Sequence, residues 1–294
     1  MNWAKSRVKP GKSVKLSGIS THPKIKAADK AKLKEELNED VASISELQYK
    51  LYAENRQSLL IILQGMDSAG KDGTIRHIMG GVNPQGVMVH SFKHPSDLEL
   101  EHDYLWRHAQ KLPEKGQITI FNRSHYENVL ISKVHPEILL AERLPDIDSV
   151  KKVNPQFWKK RYKQINNFEK NNILNGTQIV KFFLHISKQE QANRLIDRIE
   201  NPEKHWKFSS NDIVERKYWE DYQDAYQKAI AHTSTKDAPW YIIPADDKTY
   251  AHLLIGKIIL EKLKDMNPTF PPISKEEKVS MQKAKSQLTK EQKR

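Results

Sequence analysis

The stretch GMDSAGKDG, residues 65–73, decides the fold of this chain. Its glycines and lysine fit the pattern GxxxxGK of a phosphate-binding loop. A continuous apolar run, SLLIILQG (58–65), leads into it, and the helical stretch TIRHIMGGV follows. A buried strand, a glycine loop and a helix start, in that order, let backbone N–H groups bind phosphate. The loop departs from the common pattern at Asp72, where serine or threonine is usual.

Strands and helices alternate on both sides of this loop. Apolar runs predict further strands at 86–92, 117–122, 177–187 and 239–246. Apolar residues spaced three to four apart predict an amphipathic helix over 29–55. Helix starts are marked by Ser96 with Glu99, by Ser187 with Glu190 and, as a weaker cap, by Ser209 ahead of Asp212. The pattern predicts an α/β, three-layer fold with a mostly parallel five-stranded sheet.

The composition narrows the class of partner. Lysine and arginine number 49 against 37 aspartates and glutamates, which gives a net charge of +12. An anionic partner is therefore expected: nucleic acid, an acidic membrane surface, nucleotides or another phosphate polymer. The chain has no cysteine, which excludes disulfides, thiolate metal sites and cysteine nucleophiles. No signal peptide is recognised, and no apolar run approaches the ~18 residues that span a bilayer, so a cytoplasmic protein is expected.

The two ends of the chain differ from its middle. Residues 1–28 mix lysine, serine, glycine and proline, and are expected to be a basic arm that wraps the domain or stays mobile. Residues 29–265 carry the strand and helix pattern of the folded domain, with a lid at about 190–212. Residues 266–294 form a charged tail, expected to be solvated and partly helical or disordered. The functional residues should therefore lie in the middle part.

Polar residues follow the strand QITIFN (117–122). Asn122 and Arg123 stand where nucleotide-binding sheets usually place a carboxylate for magnesium. Asn122 alternatively serves only as a cap for the following helix. Ser124 and His125 do not form a nucleophilic triad, because adjacent residues on a helix do not face each other.

Two arginines lie one turn apart on the helix that begins near Ser187. Arg194 and Arg198 share a face, and two solvated arginines would fit this spacing equally well. The following segment NPEKHWKFSSND (201–212) adds Lys204 and Lys207 and resembles a lid that brings cations over a phosphoryl group. The spacing of His90, His94, His102 and His108 fits no metal pair on a helix face.

With these motifs in place, the chain resembles the polyphosphate kinase 2 family. The resemblance is carried by GMDSAGKDGTIRHIMGGVNPQGVMVHSFKHPSDLELEHDYLWR (65–107), FNRSHYENVLISKVHP (121–136), INNFEKNNILNGTQIVKFFLHISKQEQANRLIDRI (165–199), HWKFSSND (205–212) and STKDAPWYIIPADDK (234–248). It implies a P-loop kinase fold like that of thymidylate kinase, with a helical lid. It also implies magnesium-dependent phosphoryl transfer between inorganic polyphosphate and a nucleoside mono- or diphosphate, and a homo-oligomer, either a tetramer or a dimer.

The resemblance also implies an active centre. By family likeness, the active centre contains Asp67, Lys71, Asn122, Arg123, Arg194 and Arg198. The candidate nucleotide contacts are Asn122, Arg123, Glu127 and Arg194. Phosphate and polyphosphate are expected on Gly65, Ser68, Ala69, Gly70, Lys71, Asp72, Gly73, Arg76, Lys93 and Lys133, and less surely on Lys159, Lys160 and Arg161. Arg76, Lys93 and Lys133 equally fit a solvated face, and for Lys159, Lys160 and Arg161 the solvated face is the favoured interpretation. Trp206 and Tyr126 could each pack on a nucleotide base, but either side chain fits a position in the hydrophobic core as well. Many family members have aspartate where Asn122 stands, and GKDG with FNRS resembles the subgroup that accepts AMP and ADP. Guanine nucleotides are further candidate acceptors.

The chemistry explains why aspartates stand in a phosphate-binding loop. The attacking phosphate oxygen is already ionised near neutral pH, given a second phosphate pKa of about 6, so no general base is required. Asp67, Asp72 and Asn122 are therefore assigned to Mg²⁺, with Mn²⁺ as a substitute, which offsets the repulsion between two anionic substrates. Lys71 and the arginines stabilise charge on the transferring group, and no covalent intermediate is expected.

Two other functions fit parts of the same pattern. An ATP-dependent kinase for nucleotides or small metabolites explains the P-loop, but not the aspartate after its lysine. A non-catalytic nucleic-acid binder explains the basic balance. However, the sequence contains no recognition helix, zinc finger or aromatic RNA-binding motif. We therefore expect neither nucleic acid nor a membrane as partner.

Overall fold

The computed structural model describes residues 3–23 and 29–292. Its central sheet has five strands: β1 Ser58–Gly65, β2 Val87–Ser91, β3 Ile118–Asn122, β4 Thr177–His185 and β5 Trp240–Pro244. Their order is β2-β3-β1-β4-β5, and every neighbouring pair is parallel. The predicted five-stranded sheet is confirmed, although four of the five strands are one to three residues shorter than predicted. Each of the eight residues of β1 is buried, which is typical of a strand covered on both faces.

Helices cover the two faces of the sheet. They are α1 Lys30–Glu54, α2 Lys71–Met79, α3 Asp97–Leu100, α4 Trp106–Ala109, α5 Ile131–Val134, α6 Pro155–Leu174, α7 Lys188–Glu200, α8 Ser210–Glu215, α9 Trp219–Thr233, α10 Lys248–Met266 and α11 Lys275–Glu291. Helices α1, α2 and α10 pack together, and α5, α6 and α9 pack together. Members of both groups contact the sheet, so the predicted three-layer arrangement is confirmed.

Two of the three predicted helix caps are present. Ser96 and Glu99 form a full capping box at the start of α3, and the Ser187 hydroxyl accepts a hydrogen bond from the Glu190 amide at 3.1 Å. The prediction for Ser209 is wrong, because its side chain makes no capping hydrogen bond at the start of α8. Ser187 fixes where α7 begins, and α7 carries both of the arginines assigned to the lid.

The two ends of the chain differ in how they pack. In the first segment, the Val8 amide donates to the Trp240 carbonyl at 2.8 Å, and Leu16 is buried. This segment therefore covers the edge strand β5. Helix α11, by contrast, buries none of its residues. Parts of the expected arm and tail, residues 1–2, 24–28 and 293–294, lie outside the described residues.

No helix within residues 3–23 and 29–292 is both long enough and apolar enough to cross a bilayer.

Candidate active site

The phosphate-binding loop connects the carboxyl end of β1 to the start of α2. Gly65 is required there because a Cβ atom would lie 3.0 Å from the Leu184 Cβ. Gly70 is required because its φ of +107° belongs to the left-handed region, which side chains rarely adopt. The first N–H groups of α2 have no acceptor within the helix. They therefore form a site for phosphate at its N-terminus.

Lys71 is held against the loop that precedes it. Its Nζ donates to the carbonyl oxygen of Gly65 at 2.7 Å and to that of Met66 at 3.2 Å. Burial, followed by the charge of Arg123, lowers the pKa of Lys71 to about 8, although Asp67 and neighbouring carboxylates oppose the shift. A lysine with this pKa is mostly protonated at neutral pH, so it can exchange carbonyl partners for phosphate oxygens.

Each loop aspartate is bonded to a residue at the end of β3. Asp67 Oδ1 accepts from the Arg123 guanidinium at 2.7 Å, and Asp72 Oδ1 accepts from the Asn122 amide at 2.7 Å. The predicted meeting of the loop with this strand end is therefore present. Ser124, rather than Asn122, caps the following 3₁₀ turn. This removes capping as the explanation for Asn122.

Arg123 is fixed by its backbone as well as by its side chain. Its φ is +63°, and its amide donates to the Leu63 carbonyl at 3.1 Å. Burial alone would lower the pKa of the Arg123 guanidinium, but Glu127 and Asp67 outweigh burial and raise it. A permanent positive charge therefore faces the loop.

These residues open onto a crevice of about 690 Å³. Of the predicted site residues it is lined by Asp67, Ser68, Gly70, Lys71, Asp72, Gly73, Arg76, Lys93, Asn122, Arg123, Arg194 and Arg198. We call the side formed by the loop and the end of β3 the P-loop wall. We call the side formed by residues 197–212 the lid wall. The whole crevice is lined by nine lysines and arginines against four aspartates, an excess of five positive charges.

Arg194 differs from the prediction of a direct substrate contact. It is only 7% exposed, and its Nε donates to Glu190 at 2.8 Å. One terminal nitrogen donates to the Ser68 and Ala69 carbonyls, and the other donates to the carbonyls that follow β5, those of residues 245 and 246. A guanidinium has five N–H donors, so all of them are used within the protein. Arg194 therefore supports the loop from below instead of offering hydrogen bonds to a substrate.

Arg198, one turn further along α7, does face the crevice. Its guanidinium donates to Asp212 at 2.9 Å, and this is the hydrogen bond it makes within the described residues. Lys204 forms an ion pair with Asp197 at 2.6 Å in the same wall. Burial, followed by the charge of Asp67, raises the pKa of Asp212. Arg198 and Lys204 are thus paired within the lid wall, whereas Lys207 forms no ion pair with the described residues.

The structure places three other predicted residues outside the crevice. Lys133 lies against α9, 3.4 Å from Asp224. The Glu127 carboxylate lies behind the loop, 3.0 Å from the side-chain amide of Gln64. Arg161 is buried beside Tyr104 and lines a separate cavity of about 1190 Å³. The long-range packing of α5, α6 and α9 sets these positions, and no local motif reports it.

The two aromatic candidates have opposite surroundings. Tyr126 is fully buried in the core, where its hydroxyl donates to Glu169 at 2.7 Å. Trp206 is 78% exposed and lines the crevice from the lid wall. Trp206 is therefore the aromatic side chain of the pair that a nucleotide can reach.

Sequence reasoning missed several residues that line the crevice, namely His77, Phe92, Lys248 and His252. Asp212 also lines the crevice, although the sequence suggested only that it takes part in a helix cap. A signal for Lys248 was present, since it follows the carboxyl end of β5 and such strand ends meet at one edge of a parallel sheet. His77 and His252 had no such signal. Across residues 3–23 and 29–292, no group of three or more histidines and carboxylates has the geometry of a metal site.

Comparison with known proteins places the chain in a family. A model of the family Polyphosphate kinase 2 (PPK2) matches residues 27–271. The chain is 47% identical to an ADP-polyphosphate phosphotransferase of Rhodopseudomonas palustris over 97% of both chains. It is 46% identical to an AMP/ADP-polyphosphate phosphotransferase of Meiothermus ruber over 80% of this chain and 83% of that protein.

The solved structures agree. The crystal structure of polyphosphate kinase 2 from Arthrobacter aurescens TC1 matches with a TM-score of 0.83 and 39% identity, covering 93% of both chains. Together with the strand order, this confirms the expected P-loop kinase fold. The chain belongs to the polyphosphate kinase 2 family.

Proposed function

We propose that this protein is a polyphosphate-dependent nucleotide phosphotransferase. It moves a terminal phosphoryl group between inorganic polyphosphate and AMP or ADP, with guanine nucleotides as further acceptors. Membership of the polyphosphate kinase 2 family supports this assignment. The observation that carries it is the crevice in which a P-loop meets an excess of five positive charges. A phosphate chain supplies the anions that this surface lacks.

The donor phosphate is assigned to the P-loop wall. Backbone N–H groups at the start of α2 bind its oxygens, and Lys71 turns from the Gly65 carbonyl toward them. Arg123 stands across the loop and stabilises the charge that spreads over the transferring group. The reaction needs little more from the protein than alignment and charge, since phosphoryl transfer depends mainly on positioning and electrostatics.

The acceptor needs no general base. Its phosphate is already largely ionised, given a second phosphate pKa of about 6. We therefore propose direct in-line transfer in which Arg198 releases Asp212 and turns toward the phosphates as the lid wall closes. Arg194 keeps the loop in place during this step, through its bonds to the Ser68 and Ala69 carbonyls.

The residues of the P-loop wall fit a hard divalent cation. Asp67 and Asp72 each have one carboxylate oxygen without a hydrogen bond to the described residues, and the Asn122 Oδ1 is buried without a partner. Carboxylate and amide oxygens are the ligands that Mg²⁺ prefers, completed by water and substrate phosphates. We assign Asp67 and Asp72, with Asn122 beside them, to Mg²⁺, and Mn²⁺ is a substitute. The ion offsets the negative charge shared by donor and acceptor.

The acceptor range is proposed to include both AMP and ADP. One relative is named for ADP alone and another for AMP and ADP, at nearly equal identity to this chain. The Asn122–Asp72 hydrogen bond supports the wider range, because asparagine here adds no negative charge beside the acceptor phosphate. By family likeness we also expect a homo-oligomer that works in the cytoplasm.

Phosphorus NMR tests the proposal directly. The protein is incubated with Mg²⁺, long-chain polyphosphate and either AMP or ADP, with no other phosphoryl donor. New nucleotide β or γ resonances, absent in a Lys71→Ala control, are expected with each acceptor. An unchanged spectrum from folded protein that does turn over ATP with a small acceptor would instead favour the ATP-dependent kinase.

A further inference from the structure

The first segment of the chain contacts the turn that follows β5. Residues 3–23 run along this edge of the sheet, where Arg7 forms an antiparallel bridge with Tyr241. Near the end of the segment, the Thr21 carbonyl accepts from the Asp246 amide at 3.0 Å, and the Thr21 hydroxyl donates to Asp246 Oδ2 at 2.6 Å. Thr21 is therefore bonded to Asp246 through both its backbone and its side chain.

A buried anchor precedes this contact. Leu16 is 1% exposed, and its amide donates to the Gln227 side chain of α9 at 2.8 Å. The ring Nε2 of His185, at the end of β4, lies 3.2 Å from the Leu16 carbonyl and 3.1 Å from the Ile19 carbonyl. Because carbonyl oxygens only accept, this nitrogen carries the proton. Several contacts thus hold the first segment in place on the domain.

Asp246 connects the first segment to the helix that carries the arginines. Its Oδ1 accepts from the Ser187 amide at 2.8 Å, and Ser187 is the cap of α7. The Asp246 carbonyl accepts from the Arg194 guanidinium at 3.2 Å, beside the Ala245 carbonyl at 2.6 Å. Both carboxylate oxygens of Asp246 are therefore used, one by the first segment and one by the start of α7.

Helix α7 in turn supports the P-loop at three carbonyls. Arg194 donates to the Ser68 carbonyl at 3.1 Å and to the Ala69 carbonyl at 2.9 Å. Gln191, which is 1% exposed, donates to the Asp67 carbonyl at 3.0 Å. A continuous series of hydrogen bonds therefore runs from the first segment to the loop that binds phosphate. A shift in the first turn of α7 would reach the loop through these bonds.

We infer that Thr21 and Asp246 are positioning residues for phosphoryl transfer. Their hydrogen bond fixes the start of α7, and α7 holds the P-loop in the geometry that transfer requires. In-line transfer depends on close alignment of the reacting atoms, so a displacement that begins far from them lowers the rate. The inference rests on the proposed function and adds to it a segment that lies ahead of residues 27–271, which the family model matches.

The test compares Thr21→Val with Thr21→Ser. Valine keeps the shape of threonine and the backbone bond to Asp246, but it lacks the hydroxyl. With polyphosphate and Mg²⁺, we expect Thr21→Val to lower kcat about tenfold and to change the KM for ADP by less than about twofold, since alignment is lost rather than binding. Thr21→Ser should retain the wild-type kcat. Ser20→Ala is the matched control, because the Ser20 hydroxyl is bonded to His22 of the same segment.

A double variant shows whether Thr21 acts through Arg194. In an Arg194→Lys background, Thr21→Val should lower kcat by less than about twofold further, because both changes disturb the same support. Turnover is expressed per folded molecule, with circular dichroism to establish the folded fraction. A hydrogen bond that only stabilised the fold would leave this value unchanged.

Hydrogen exchange reports on the loop without any substrate. The Ala69 amide donates to the Met66 carbonyl at 3.1 Å, and it should exchange faster in Thr21→Val but not in Ser20→Ala. An unchanged kcat in Thr21→Val, or losses that multiply in the double variant, would overturn the inference. Wild-type protein without turnover would refute the proposed function instead, and exchange at Ala69 would still decide whether the first segment holds the loop.

Discussion

The two walls of the crevice hold their charges in different ways. On the P-loop wall, Asp67 and Asp72 are bonded to residues of another strand end, and the backbone beneath them is buried in the sheet. On the lid wall, Arg198 and Lys204 are paired with Asp212 and Asp197 of the same wall. The P-loop wall is therefore preorganised by the sheet. The lid wall must break its own pairs before it can engage substrate.

The largest expected difference lies in the chemical step. Lys71→Ala and Asp67→Asn should each lower kcat by about 10³-fold or more, because preorganised charge is lost where negative charge develops. Lys204→Ala on the lid wall should lower kcat by about tenfold or less. Turnover is measured by phosphorus NMR, with circular dichroism to establish that each variant is folded. Equal losses of kcat in the variants of both walls would show that the P-loop wall is no more preorganised than the lid wall.

The second test uses two arginines on one helix. Arg194→Lys should destabilise the protein by about 2 kcal/mol, since lysine has three donors for the five acceptors that arginine satisfies. Arg198→Lys should cost about 0.5 kcal/mol or less, because its single ion pair is partly solvated. Urea unfolding at equal ionic strength measures both values.

The turnover of the same two variants should distinguish a group that acts on substrate from one that supports the loop. Arg198→Lys is expected to lower kcat with little change in stability, which is the behaviour of a group that acts on the transferring phosphate. Arg194→Lys should lower kcat and stability together. An Arg194→Lys protein of normal stability that has lost its turnover would show that Arg194 contacts substrate after all.

The third test adds a carboxylate to the P-loop wall. Asn122→Asp replaces a donor 2.7 Å from Asp72 by a second negative charge, which costs stability unless a cation is bound. In chelator, the melting temperature should fall by a few degrees, which corresponds to about 1–2 kcal/mol. Added Mg²⁺ should restore most of the loss. The reverse change on the lid wall, Asp212→Asn, should show no such dependence on metal, and if it does, the metal assignment to the P-loop wall fails.

The sequence predicted the P-loop wall better than the lid wall for a physical reason. Glycine spacing and strand ends are local features, so Gly65, Lys71 and Asn122 could be placed from the chain alone. The spacing of Arg194 and Arg198 indicates only a shared face. Which of the two is buried depends on the turn after β5 meeting the P-loop, and that contact joins segments far apart in the chain.

The same limit explains the residues that were misplaced or missed. Lys133 lies outside the crevice because α5 packs on α9, which no local pattern reports. The His77–His252 stack joins α2 to α10 across most of the chain. Charge in the sequence therefore predicted the kind of ligand, whereas tertiary packing decides which cations can reach it.

The last test concerns acid. His252 packs against the P-loop wall and has a pKa lowered by burial to about 4, below the value near 6.5 of an unfolded histidine. Burial also lowers the pKa of His108, His125 and His185. The unfolded chain therefore binds more protons below pH 6.5, so stability is present above that pH and is lost as the pH falls toward 4.

The melting temperature should accordingly fall by several degrees between pH 7.5 and pH 5.5, at about 2 °C per kcal/mol for a chain of this size. Polyphosphate should reduce that fall, because an anion beside His252 raises its pKa and makes protonation compatible with the folded state. The effect of polyphosphate should persist in His205→Asn, which alters an exposed histidine of the lid wall, and should weaken in His252→Gln. If His205→Asn abolished the effect of polyphosphate instead, the acid response would arise from the lid wall. The buried histidine beside the P-loop wall would then not be the group that an anion stabilises.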